Sequence, residues 1–184
     1  MWATDLLSRY LEDKPLDIVR EHSRHVADLA LAIAHHMALP EETLLFIEEA
    51  ALLHDIGVCR VYAPDLGLYG SHQYITHGVH GREILDREGL PLHALVCERH
   101  TGVGLTVEDI VRQGLPLPRR DMCPESISEQ IICCADLFYS KKPGRLSERK
   151  TVEKVRKNLL PFGEEKVAIF DAWIIRFNIH EINL

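Results

Sequence analysis

Eleven of the 184 residues are histidine, and three regions set imidazoles or carboxylates on otherwise apolar helical stripes. His22 shares a helical face with Val26, Leu29 and Ile33, so its ring points inward at the start of a buried stripe. His54 continues the inward stripe of Ile47 and Ala51 and is followed at once by Asp55. Adjacent residues are set about 100° apart around a helix, so both can reach one ion only if the helix end abuts it. Asp136 follows Ile132 and Cys133 on a third apolar segment, where an unpaired carboxylate would cost several kcal/mol or more. Imidazole with carboxylate suits divalent iron, manganese, cobalt, nickel or zinc, and these four groups on three helices make one metal site. His77 and His100, at the start and end of two further helices, can supply a second ion, with Asp55 as the bridge. Two metals sharing a carboxylate lower the pKa of a shared water and clamp a phosphoryl group. Taken singly, His22, His77 or His100 is more often a core or capping histidine; the pair His54 and Asp55 on an inward helix end points the other way.

The elements that must position these groups read as helices throughout. Thr4 to Asp13 forms a short amphipathic segment with Thr4 as N-cap, ended by Pro15. Leu16 to Ala38 carries Val19, Val26, Leu29, Ile33 and Met37 at three- and four-residue steps, and Glu41 to Ile56 repeats the pattern, with Gly57 as its C-cap. Residues 58–76 hold Pro64, Gly67, Gly70 and the rings Tyr62, Tyr69, His72 and Tyr74 without a sustained period, which predicts an active-site loop. Further helices are predicted over 77–88, 91–99, 106–113 (Thr106 with Asp109 as a capping box), 124–140, 147–160 and 164–177. No segment alternates with a period of two, so the expected fold is all-α: a single domain over 1–184, with its core at about 16–140 and C-terminal helices at about 147–177. The apolar stripe with Trp173, Ile174 and Phe177 suits either a cover for the bundle or the face of a homodimer.

Composition narrows the function. Hydrophobic residues make up 46% and charged residues 27%, as in an ordinary globular domain, and the net charge of −7 has the wrong sign for tracking a nucleic-acid polymer over a broad surface. No apolar run reaches the roughly 18 residues that span a bilayer, and Asp5 precedes any stretch that could act as a signal peptide, so a cytoplasmic protein without membrane association is expected. Cys59, Cys97, Cys123, Cys133 and Cys134 include no CxxC pair and read as reduced thiols.

Beside this reading, the chain resembles the HD-domain metalloproteins. Residues 22–30 (HSRHVADLA) are similar to the first histidine element of that family, 50–57 (AALLHDIG) to its HDIG signature, 77–85 (HGVHGREIL) to the third element, 98–102 (ERHTG) to the fourth, and 131–137 (IICCADL) to the terminal aspartate element. The resemblance covers roughly 16–140 and implies a helical bundle around a metal centre. Carried over position by position, it implies one metal held by His22, His54, Asp55 and Asp136, and a second held by His77, His100 and the bridging Asp55. Having both extra histidines favours the two-metal type, a subset of which hydrolyses dinucleoside polyphosphates. One departure is Val58, where the family often carries a lysine near the substrate phosphate; Arg60 can reach the same region.

The function so implied is a metal-dependent phosphohydrolase acting on a nucleotide, a dinucleoside polyphosphate or another small phosphate compound, with Asp55 and Arg82 as catalytic residues. Lys141 and Lys142 can also neutralise phosphate oxygens, though each serves equally well as a solvated surface charge. His80 is a neighbour of the site on the helix of His77, while His72 and the loop tyrosines are candidates for stacking on a base. The resemblance admits an alternative of another class, a mixed-valence di-iron oxygenase, since some relatives use the same six-ligand order with dioxygen. A third reading, a catalytically silent binding module, fits relatives that have lost the ligands.

Overall fold

The computed structural model describes residues 2–182. Helices α1 (Trp2–Leu7), α2 (Asp13–His36) and α3 (Glu41–Leu53) are followed by an irregular stretch, then α4 (His77–Arg87), α5 (Pro91–Arg99), α6 (Val107–Gln113), α7 (Ile127–Leu137), α8 (Val152–Leu159) and α9 (Glu164–Arg176). The fold is all-α, as the periodicities predict. In the irregular stretch two-residue strands β1 (Tyr62–Ala63) and β2 (Leu68–Tyr69) pair antiparallel, between 3₁₀ turns at 56–60 and 74–76. Among the described residues no helix is long and apolar enough to cross a membrane.

The long helix α2 buries Ile18, Val19, Val26, Leu29, Ala30 and Ile33 along one side, and its contact face is α3, which buries Leu44, Ile47, Ala50 and Ala51. Helix α7 lies against both through the fully buried Ile131, Ile132 and Cys134, and α4 packs along α5. Side chains from every helix but α6 join one contiguous apolar core. Trp173, Ile174 and Phe177 are buried within the chain, so the C-terminal stripe covers the bundle and leaves no free dimer face at those residues.

Several boundaries differ from those the sequence predicts. The first helix ends at Leu7 rather than Asp13, and Thr4 lies inside it instead of capping it. Pro15 does not end a helix; it sits in the first turn of α2, where its missing N–H would have had no intrahelical acceptor. Helix α7 is trimmed to 127–137, with Ser126 accepting the Glu129 N–H at 3.2 Å, and α8 begins only at Val152, after Thr151. The capping box of α6 forms as expected: Asp109 N–H donates to Thr106 Oγ1 and Thr106 N–H to Asp109 Oδ2.

Gly57 is not a C-cap. It lies in the 3₁₀ turn after α3, and a Cβ there would overlap the His77 carbonyl oxygen and the Gly81 amide nitrogen. A Cβ at Gly78 would likewise overlap the carbonyl oxygen of Cys97. These contacts let α4 approach both the end of α3 and helix α5 at backbone distance, which governs the geometry described next.

Candidate metal centre

Helix C-termini converge on one buried point. His77 opens α4 after the 3₁₀ turn at 74–76, whereas others sit at C-terminal ends: His54 is the C-cap of α3, His100 the C-cap of α5, and Asp136 lies in the last turn of α7. Unpaired carbonyls and the helix dipole make such ends negative, and they disfavour a buried carboxylate unless a cation is close.

Those same carbonyls orient the imidazoles. Nδ1 of His54 lies 2.6 Å from the Ala51 carbonyl oxygen, that of His77 2.7 Å from Tyr74 O, and that of His100 2.7 Å from Cys97 O. A carbonyl only accepts, so each ring donates from Nδ1 and presents Nε2 inward, the orientation by which backbone groups prepare histidine as a metal ligand. His22 enters from the buried stripe of α2.

The Asp55 carboxylate stands between two sets of these rings. Its Oδ2 lies 3.1 Å from His54 Nε2 and 3.5 Å from His22 Nε2, and Asp136 Oδ1 closes that side at 2.9 Å from His22 Nε2 and 3.6 Å from His54 Nε2. Its Oδ1 faces the other way, 3.4 Å from His77 Nε2 and 3.5 Å from His100 Nε2. Ligand atoms of His22, His54 and Asp136 lie within 4.8 Å of one another, as do those of His54, Asp55 and His100. The structure therefore brings together all six groups picked from the sequence.

The arrangement fits cations. His22 Nε2, His54 Nε2 and both Asp55 oxygens are buried without a hydrogen bond of acceptable geometry. His77 and His100 hold their Nε2 atoms 3.0 Å apart; with both Nδ1 positions committed to carbonyls, two lone pairs confront each other unless a cation or proton lies between. Burial, with the neighbouring His100 ring adding to it, pushes the His77 imidazole down to about 3, and burial with Lys141 pushes His22 down to about 4. For His54 burial acts the same way, but Asp55 and Asp136 overcome it and raise the ring to about 10. The two carboxyls are held well below their ordinary range despite burial, Asp55 by His54 and Lys141 and Asp136 by Lys141 and His22.

Lys141 is not a solvated surface charge. Its side chain is only 14% exposed, and its Nζ lies 2.7 Å from Asp55 Oδ2; Asp55, Tyr74 and Asp136 raise its pKa against the penalty of burial. His22, Asp136 and Lys141 line the inner end of a cavity of about 500 Å³, walled by Val103, Leu105, Leu137, Val155, Leu159 and Phe162. Buried Lys166 secures that wall by donating to Asp109 and, at 2.9 Å, to the Gly104 carbonyl.

Other residues singled out from the sequence lie apart from the six. Arg82 donates to the buried carboxylate of Glu98, which Arg120 also engages, and stands 3.5 Å from Asp86. Arg99 pairs with Glu129 at 3.0 Å, so ion pairs to α4 and α7 hold α5, and with it His100. Arg60 is paired with Glu83 at 2.7 Å, Val58 is buried, and Lys142 is exposed. His80 packs on His72 with ring centroids 4.2 Å apart, and Tyr62 and Tyr69 face each other on the exposed hairpin. Tyr74 alone of the loop rings reaches the centre, through its carbonyl on His77 and its ring, 4.9 Å from the His77 ring. The orienting carbonyls went unread in the sequence, although a histidine directly after a helical run is the signal for them.

Over 166 residues, 89% of its length, the chain is 35% identical to a tRNA (cytidine(56)-2'-O)-methyltransferase of Thermoplasma volcanium, and the match spans 43% of that relative. It is 34% identical over 159 residues to an uncharacterised protein of Methanocaldococcus jannaschii, covering 85% of this chain and 84% of the relative. In fold it is similar to the HD domain of the phosphodiesterase PgpH of Listeria monocytogenes, at 16% identity and a TM-score of 0.53 over 96% of this chain and 97% of the other. The same domain in complex with cyclic-di-AMP gives a TM-score of 0.52 at 16% identity, covering 100% and 99% of the two chains. The family model described as HD domain matches residues 19–141, a span that takes in all six convergent groups and Lys141, and the chain belongs to the HD-domain family.

Proposed function

We propose that this protein is a metal-dependent phosphohydrolase acting on a small phosphate compound of the nucleotide or dinucleoside polyphosphate class. One divalent transition metal would be held by His22, His54, Asp55 and Asp136, and a second by His77, His100 and Asp55. What carries the reading is the division of the Asp55 carboxylate, Oδ2 toward His22 and His54 and Oδ1 toward His77 and His100, as a bridging ligand requires. Metals bound there would supply an activated water and stabilise charge on the phosphoryl oxygens.

The protein's own residues account for the rest. Asp55 and Asp136, held ionised, and the Nδ1–carbonyl contacts that aim the imidazole Nε2 atoms inward keep the ligand set assembled, with His54 carrying a proton that a metal would displace. Lys141 keeps its proton and directs Nζ at the inner end of the cavity, where it can donate to a phosphoryl oxygen. The apolar wall of the cavity suits the uncharged part of a substrate. Arg82, expected as a catalytic residue, is better read as a positioning residue for α5 through Glu98. Family membership supports metal-dependent hydrolysis of phosphate esters in general, and the name of the PgpH complex attaches a dinucleotide ligand to that neighbour. Methyl transfer, the activity named for the Thermoplasma relative, belongs to a protein of which this chain spans 43%.

The test is anaerobic turnover of a panel of nucleotides, dinucleoside polyphosphates and sugar phosphates by protein loaded with Fe(II), Mn(II), Co(II) or Ni(II). Phosphate or nucleotide products are the expected result. Silence with every metal, followed by oxygen uptake and an oxidised product with iron, would overturn the proposal.

A further inference from the structure

The net charge of −7 conceals a strong local asymmetry. Residues 141–157 hold eight of the 21 Lys and Arg but only two of the 28 Asp and Glu. In the fold this segment makes a hollow of about 390 Å³ lined by Lys142, Arg145, Arg149, Lys150 and Lys154, with Glu148 as its carboxylate. Glu148 lies 3.8 Å from Arg145, an exposed contact worth little. Among the described residues no carboxylate lies within ion-pair distance of the Lys142 or Lys154 ammonium, so two cations at the rim lack a counter-charge. Lys150 is pushed down by burial, and Lys141 and Lys154 add to that.

The hollow also adjoins the cavity at the metal centre through shared lining residues. Lys150 lines both this hollow and the cavity that ends on His22, Asp136 and Lys141. Lys142 and Ser140 line both it and a second opening that contains Lys141 and Tyr74. A run of cations thus leads away from Lys141 across the surface, and a row of like charges without counter-ions is stabilised by a multiply charged anion laid along it.

We infer that Arg145 and Lys154, with their neighbours in this hollow, form an accessory phosphate site that engages a second phosphate of the substrate beyond the one at the metal centre. The ligand carries at least two phosphates close together, either successive phosphates at the end of a short oligonucleotide or the phosphate chain of a free nucleoside polyphosphate. This deepens the proposed function and rests on it only for the identity of the scissile phosphate.

The test compares wild type with the double variant Arg145→Ala, Lys154→Ala; both residues are exposed, and alanine suits the helical position of Lys154. Binding of a fluorescein-labelled, 5′-phosphorylated trinucleotide is read by anisotropy in chelator, so that no turnover is needed. The expected result is a Kd about tenfold weaker in the variant, the gap closing as salt rises from about 50 to about 300 mM. Hydrolysis of p-nitrophenyl phosphate by the Mn(II)-loaded proteins should differ less than about twofold, because that probe has no second phosphate. Displacement of the trinucleotide by tripolyphosphate supports the free polyphosphate form, and resistance to it supports the strand end. Equal Kd in both proteins, or an equal loss toward p-nitrophenyl phosphate, would overturn the site. Absence of all hydrolysis would instead count against the phosphohydrolase reading, leaving the binding comparison to stand or fall by itself.

Discussion

The Lys141 ammonium lies 2.7 Å from Asp55 Oδ2, the same oxygen that faces His54 at 3.1 Å and His22 at 3.5 Å. A lysine and a metal would thus share one carboxylate oxygen, competing for it while both favour an anionic ligand beside it. Replacing Lys141 by Met is therefore predicted to leave metal content equal or higher and to lower kcat/KM for a phosphate substrate on the order of 100-fold, the size of a lost oxyanion donor. Elemental analysis and kinetics on the same preparation separate the two. Metal content falling in step with activity would mean that Lys141 mainly supports the ligand set.

The division of the Asp55 oxygens predicts a hierarchy among ligand variants. Asp55→Ala should remove metal from both positions and abolish turnover, whereas His77→Ala or His100→Ala should lower occupancy of the second position and spare the first. Metal stoichiometry by elemental analysis, with activity per bound metal, checks this. Equal content and activity in all three variants and the wild type would refute the assignment.

Gly78 packs so closely on α5 that a Cβ would meet Cys97 O, the acceptor of the His100 Nδ1–H. Gly78→Ala should therefore drive α4 and α5 apart, cost about 1–3 kcal/mol as overpacking, and loosen the 3.0 Å approach of His77 to His100. Denaturant titration reads the first effect, and selective loss of the second metal equivalent reads the other. Unchanged stability and stoichiometry would contradict the close approach.

Protons and metal compete for this centre. His54 is raised from 6.5 to about 10 in the metal-free fold, so its contribution to stability is full below its unfolded value and is lost as pH climbs through about 10. Asp55 and Asp136 are depressed; their contribution is present above the ordinary carboxyl range and lost as pH falls through their lowered values. Because a metal must displace the His54 proton, its apparent affinity should rise with pH, by up to about tenfold per unit for one proton released. Mn(II) titrations between about pH 6.5 and 8.5 test this; an affinity flat with pH would contradict a charged His54.

Arg82 offers a contrast with Lys141. Because Arg120 still engages Glu98 when Arg82 is truncated, Arg82→Ala should cost about 1–3 kcal/mol of stability, with activity per bound metal kept within a few-fold. Thermal melts with kinetics at saturating metal distinguish this from a catalytic role, in which activity would fall at unchanged metal content.

His22, His54 and Asp136 were legible because each interrupts an apolar stripe of period 3.6, as His22 does before Val26 and Leu29, whereas Asp55 was picked from its place beside His54, and His77 and His100 from their places at helix ends and the family resemblance. Element types followed from the same periodicity, and the Thr106–Asp109 box from its spacing. Helix ends were less legible: Pro15 reads as a stop yet fits a first turn, and Gly57 reads as a cap though its lack of a side chain serves contact with α4. Lys141 and Arg82 are equally ambiguous in sequence, since neither a cation after a helix, as Lys141 is, nor one within a helix, as Arg82 is, carries a sign of burial. Only the tertiary path takes Lys141 to Asp55 and Arg82 to Glu98. Averaging charge over the whole chain likewise hid the basic segment 141–157.

The most direct test of the central claim is hydrolysis in the absence of oxygen by wild type and Asp55→Ala, each assayed for metal content in the same sample. Wild type should hold up to two metal equivalents and release phosphate, and both should be lost on removing the shared carboxylate. Metal retained by Asp55→Ala with undiminished phosphate release, or a wild type that yields product only when oxygen is admitted, would contradict it.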